Sequence, residues 1–183
     1  MSVVVEDICR LLLKDSVLIG SCNGYIQEVA KRVGLGTGLD LDAAFEGDAD
    51  AIRARFSTEA GTQAPFHYIG PFPDKATQFA NDGQFVVGGL THQEMTYAGR
   101  DGKLRVATMG HVVVIAPHGP STPGTVTLTD GSEQAVRGGY PYCYQGAHYS
   151  RYRFTERTQV DVVFPALRLT SVIYAYIDII TQH

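Results

Sequence analysis

The segment Ser21-Cys22-Asn23-Gly24-Tyr25-Ile26-Gln27-Glu28-Val29-Ala30-Lys31-Arg32-Val33-Gly34 decides the architecture. Ile26, Val29, Ala30 and Val33 recur at i, i+3, i+4 and i+7, which makes one apolar stripe of a helix over 23–33. Gly34 and Gly36 are expected to stop it. Cys22 then heads the helix, where unpaired backbone N–H groups and the positive end of the helix dipole favour a thiolate.

Outward from this helix, residues 3–14 predict an earlier one, with Val5, Ile8, Cys9 and Leu12 on one stripe. Asp40 to Arg55 reads as a third helix, 65–74 as a Gly- and Pro-rich loop, and 75–81 as one or two helical turns. Strand signals dominate after Gly83. They cover 84–90, 111–116, 125–129, 142–144, 159–164 and 171–180, with 105–107 leading into the second. Helices followed by antiparallel-looking strands give an α+β fold with helices on one face of a sheet. No repeat or low-complexity tract interrupts residues 1–183, which are expected to form one domain.

The chain has 183 residues, 44% hydrophobic and 19% charged, which suits a packed core and not a disordered segment. A net charge of -4 and a pI of about 5.8 argue against a nucleic-acid footprint. Arg151, Arg153 and Arg157 read as a solvated basic face. No apolar run approaches the ~20 residues of a membrane helix. Glu6 and Asp7 stand where a signal peptide would be basic, so the expectation is synthesis in the cytoplasm without a cleaved leader. The cysteines, Cys9, Cys22 and Cys143, are odd in number and match no zinc spacing. Nothing calls for a metal or cofactor.

His111 opens the apolar strand His111-Val112-Val113-Val114-Ile115-Ala116, directly after Gly110. Taken singly, Cys22 reads more readily as a small core residue and His111 as a hydrogen-bonded structural histidine. Together they supply a nucleophile and a base from two different elements, which is what a cysteine amidase needs.

Cys22-Asn23-Gly24-Tyr25-Ile26-Gln27 resembles the nucleophile motif of the NlpC/P60 peptidases, and Gly110-His111-Val112-Val113-Val114-Ile115 resembles their Gly-His-Val strand. Phe85-Val86-Val87 is similar to the strand before it. Within that superfamily the chain most resembles the type VI secretion amidase effectors, to which Tyr140-Pro141-Tyr142-Cys143-Tyr144 is also similar. Ser21 and Asn23 depart from the usual acid and serine. The resemblance implies a papain-like fold and hydrolysis of an amide in the peptidoglycan stem peptide or cross-link, in the D-glutamate, meso-diaminopimelate or D-alanine region. Cys22 and His111 would be catalytic, with position 143 or its neighbour orienting the histidine. It further implies export by the type VI secretion apparatus to a target periplasm and a cognate immunity protein as partner. A Cys9–Cys143 disulfide after delivery is a further expectation.

His92 and Glu94 read as loop residues and not a metal pair, His118 as a solvated turn residue, and His67 and His148 have no companion pattern. The tyrosines of 140–152 line either a groove or half-exposed sheet. Gly34-Leu35-Gly36-Thr37-Gly38 lacks the strand and lysine of a phosphate loop. The alternatives carried forward are a phage or housekeeping wall hydrolase, acyl transfer on the same scaffold, and a non-catalytic binding domain.

Overall fold

The computed structural model describes residues 4–98 and 101–180. Helix α1 (Val5–Leu12) buries Cys9 and Leu12; residue 3 of the predicted helix lies outside the described residues. Helix α2 (Cys22–Thr37) buries Tyr25, Ile26, Val29, Ala30 and Val33. It runs through Gly34 and Gly36 and ends at Gly38, whose φ is 80° and whose N–H returns to the Gly34 carbonyl at 2.7 Å. Gly34 serves packing, not termination: a Cβ there would lie 2.6 Å from the Leu39 carbonyl oxygen. The predicted helix over 40–55 is two pieces, a 3-10 turn at Ala43–Phe45 and α3 (Ala49–Ala54). Gly47, at φ 97°, separates them.

Strand β1 (His67–Gly70) falls where a loop was expected, ahead of α4 (Pro73–Asn81). It is short, lies at a sheet edge, and changes register between Tyr68 and Gly70, so it lacks a long alternating pattern. Strand β2 (Phe85–Leu90) is buried throughout. A hairpin of β3 (Thr96–Ala98) and β4 (Leu104–Val106) precedes β5 (His111–Ala116). A second hairpin pairs β6 (Gly124–Thr127) with β7 (Glu133–Val136), the latter too polar to have been anticipated. Then come β8 (Tyr142–Tyr144), β9 (Thr158–Gln159), α5 (Val160–Val163) and β10 (Ile173–Ile177).

The predicted strand over 159–164 is therefore mostly helix. Val160 N–H ends the pairing by bonding the Pro141 carbonyl, and the Asp161 carboxylate turns inward to accept the N–H groups of Arg137 and Gly138. The main sheet is antiparallel throughout, in the order β1-β10-β2-β5-β8-β9.

Side-chain alternation along these strands builds two cores. Val87, Val112, Val114 and Tyr144 pack with α1 and α2. Val86, Val113, Ile115 and Cys143 pack with Ala76 and Ala80 of α4 and with Val160 of α5. Helices therefore cover both faces, where the sequence pattern pointed to one. The result is a mixed α+β fold on a six-stranded antiparallel sheet, and none of its described helices is long and apolar enough to cross a membrane.

Candidate active site

Ser21 sets the position of Cys22. Its extended backbone and side chain cap α2, the Oγ accepting Gly24 N–H at 3.1 Å. The Cys22 thiol is largely buried, 9% exposed, between α2 and the start of β5. Burial raises its pKa; the backbone N–H groups of Asn23, Val112 and Cys22 itself pull the other way, and the Asp48 charge adds a small rise. The influence of the Val112 N–H brings the sulphur to the peptide that follows His111.

His111 occupies the first position of β5, paired with Leu90 of β2, and strand alternation puts its side chain on the face of Val113 and Ile115, opposite the α2 face that holds Cys22. Its Nε2 meets Oε1 of Gln145, and the Phe164 ring stands edge-on at 5.5 Å between centroids. Gln145 is 2% exposed, and its Nε2 donates to the Tyr152 carbonyl at 3.0 Å. That second bond fixes the amide orientation, so Oε1 faces the imidazole. A carbonyl oxygen only accepts, so the imidazole proton sits on Nε2 and Nδ1 is left with its lone pair. Burial pushes the His111 pKa down to about 4, against an upward pull from the Gln145 bond, which keeps the ring neutral at pH 7. No hydrogen bond joins Cys22 to His111.

Cys143 does not hold the imidazole. Two residues along the same face of the chain, Gln145 does, while Cys143 packs in the core of α4 and α5 with its thiol pKa pushed far up by burial. The expected Cys9–Cys143 disulfide is also absent. All three cysteines are free, and Cys9 and Cys143 belong to cores on opposite faces of the sheet.

The cleft over Cys22 has a volume of about 170 Å³. Gly20, Cys22 and Asn23 line it, with Asp48 and Ala49, Met109 and Gly110, and His148. Its shape is held by close backbone contact. Ala147 N–H donates to the Ile19 carbonyl at 2.8 Å, and a Cβ on Gly146 would lie 2.2 Å from the Ser21 carbonyl oxygen. Arg153 donates to the carbonyls of Ala147 and His148 at 3.0 and 2.9 Å, and its guanidinium lies behind Gly20. On the other side, the Asp50 carboxylate accepts His92 N–H at 2.8 Å, binds the His92 ring, and presses on Gly110, where a Cβ would be 2.1 Å from Oδ1.

His92 is thus a loop anchor, as its sequence context indicated, and Glu94 pairs with Arg53 at 3.4 Å. His118 sits in a turn at φ 66°, and His67 stacks on Tyr176. Sequence reasoning missed Gln145, Asp48 and His148. The only signal for Gln145 was its spacing, two positions past Cys143 on a pairing strand. Among the described residues no three His, Cys, Asp or Glu side chains gather as a metal site. No protein-family model matches the chain, and a search of curated proteins finds no match.

Proposed function

We propose that this protein is a cysteine amidase of bacterial peptidoglycan built on a papain-like NlpC/P60-type scaffold. The observation that carries the reading is the state of His111. Gln145 holds its Nε2–H, so the unprotonated Nδ1 belongs to the residue whose following N–H reaches the Cys22 sulphur. The imidazole lies against Phe164 on the α5 face of the sheet, opposite the α2 face that holds Cys22, so it has to swing around the start of β5 for Nδ1 to take the thiol proton.

In this mechanism Cys22 Sγ attacks the scissile carbonyl carbon as its proton passes to His111 Nδ1. The N–H groups at the head of α2 receive the oxyanion. His111 then gives that proton to the departing amine, the C–N bond breaks, and a thioester remains. Water, deprotonated by His111, attacks the thioester, and the carboxylate product leaves as the thiol recovers its proton. Gln145 acts by holding the neutral tautomer with its proton on Nε2.

The substrate is a stem-peptide or cross-link amide near D-glutamate, meso-diaminopimelate or D-alanine. The biological setting is delivery by a type VI secretion apparatus into a rival's periplasm, with an immunity protein guarding the producer by covering the Cys22 cleft. The sequence resemblance supports both.

A second reading, a binding domain in which Cys22 is inert, draws support from the raised thiol pKa and the absent thiol–imidazole bond. Digestion of Gram-negative sacculi with wild type, Cys22→Ala and His111→Ala, read by mass spectrometry, separates the two. Fragments with new carboxylate and amine termini from the wild type alone support the amidase and identify the bond. Intact sacculi after treatment with folded, reduced wild type support the inert domain.

A further inference from the structure

A second cavity, of about 620 Å³, lies at the far end of the sheet from Cys22. Its size falls within the ~300–1,000 Å³ of ligand sites. Its floor is aromatic. His67 of β1 stands directly opposite Tyr176 of β10, and the two rings stack at 4.8 Å. Phe79 of α4 stacks on the same tyrosine at 4.2 Å. The helix comes this close because Ala76 and Ala80, on its buried face, are small. β1 is the outermost strand, so this aromatic surface runs along an open sheet edge, with His67 exposed and Tyr176 and Phe79 half-buried.

The polar groups around the rings are unspent. Glu59 lies on one side of β1, with Lys75 and Gln78 of α4 on the other. Among the described residues the Glu59 carboxylate and the Gln78 amide form no hydrogen bond or ion pair, and the Lys75 ammonium meets only the Phe72 ring, at 4.9 Å. One carboxylate and one ammonium leave no net charge to hold an ion. Ring faces attract weakly positive C–H groups. An amide beside a carboxylate supplies both donors and acceptors. A pyranose presents the two matching surfaces, a C–H face and a rim of hydroxyl and acetamido groups.

The position of the cavity sets the length of the ligand. His67 faces Tyr176, Tyr176 faces Val86, and Leu90, four residues further along β2, faces His111. Three strand spacings across and four residues along separate the rings from the Cys22 end of the sheet by roughly 20 Å. A small substrate cannot reach both places; a polymer can. We propose that this groove is a saccharide-binding exosite that grips a glycan strand while Cys22 works on an attached peptide. The identity of the polymer rests on the peptidoglycan reading; the saccharide chemistry of the groove does not.

The test uses full-length Cys22→Ala protein and no turnover. Chitotetraose, a peptide-free oligomer of N-acetylglucosamine, and a sugar-free stem peptide are each titrated into it, and backbone amide shifts are followed by NMR. The oligosaccharide should shift amides of β1 and α4 and leave those around Cys22 unmoved. His67→Ala and Gln78→Ala, both at exposed positions, should each weaken its binding roughly threefold to tenfold. No oligosaccharide shifts, shifts confined to other elements, an affinity unchanged in both variants, or tighter binding of the stem peptide at β1 would each overturn the proposal, whatever the sacculus digestion gives. Oligosaccharide binding at β1 by a protein that leaves sacculi intact would keep the exosite and remove the amidase.

Discussion

His111 at the start of β5 and Gln145, the residue after β8, meet side chain to side chain, and a bond from Gln145 to Tyr152 decides which end of the amide the imidazole sees. A buried amide satisfied at both ends becomes a fixed reference for a proton position.

Gln145→Ala should therefore lower kcat for sacculus cleavage on the order of 100-fold while leaving KM nearly constant, because the tautomer with its proton on Nε2 is no longer fixed. It should also cost roughly 1–3 kcal/mol in denaturant unfolding, since a cavity forms and the Tyr152 carbonyl loses its donor. A kcat close to wild type in the folded variant would remove Gln145 from the mechanism.

The titration of His111 has a definite sign. Its folded pKa of about 4 lies below the ordinary 6.5, so between those values the unfolded chain binds the extra proton. Stability should fall as pH drops from 6.5 towards 4 and be flat just above that window. Urea unfolding at pH 4.5 and 7.5 measures the difference, and His111→Gln should flatten it. The thiols have the opposite sign. Burial raises the pKa of Cys22, and that of Cys9 to about 12, so stability should decline again as pH rises past about 9, the ordinary thiol value.

Ser21→Ala removes the α2 cap and should cost about 1 kcal/mol, whereas Ser21→Asp retains an acceptor for Gly24 N–H. Thermal unfolding of the two variants tests this. Equal losses would show that the capping bond contributes nothing.

Gly146→Ala should be among the most damaging small changes. Its Cβ would stand 2.2 Å from the Ser21 carbonyl oxygen and 2.6 Å from that of Leu18, both main-chain atoms that cannot swing aside. We expect a loss of about 3 kcal/mol or more together with loss of activity, read by calorimetry and sacculus digestion. Ala147, which already carries a Cβ, provides no such conflict and is the control position for Ala147→Ser.

Much of this arrangement was legible in the sequence where local pattern decides structure. The α2 stripe, the β2 and β5 strands and Cys22 at a helix start all follow from periodicity and apolar runs, and all appear. The reading failed where distant contacts decide. β1 exists because β10 lies beside it, and α5 interrupts a valine-rich run because Asp161 is needed by Arg137 and Gly138. Gly34 resembled a helix stop but answers to Leu39. Gln145 could not be separated from Cys143 because which residue reaches His111 depends on the β5–β8 register, set by pairs such as Val114 with Tyr144.

The fastening between the start and the later part of the chain also sets a timetable. The Tyr144 hydroxyl donates to the Glu6 carboxylate 138 positions away, Ala147 bonds Ile19, and Arg153 backs Gly20. Loops this long are slow to close, because the chain entropy is lost before the contact returns anything. During synthesis Cys22 emerges early but lacks the strand of His111 and the wall behind Gly20 until residues near 153 have left the ribosome. Vectorial translation thus leaves the cleft around Cys22 without its second wall until most of the chain has emerged.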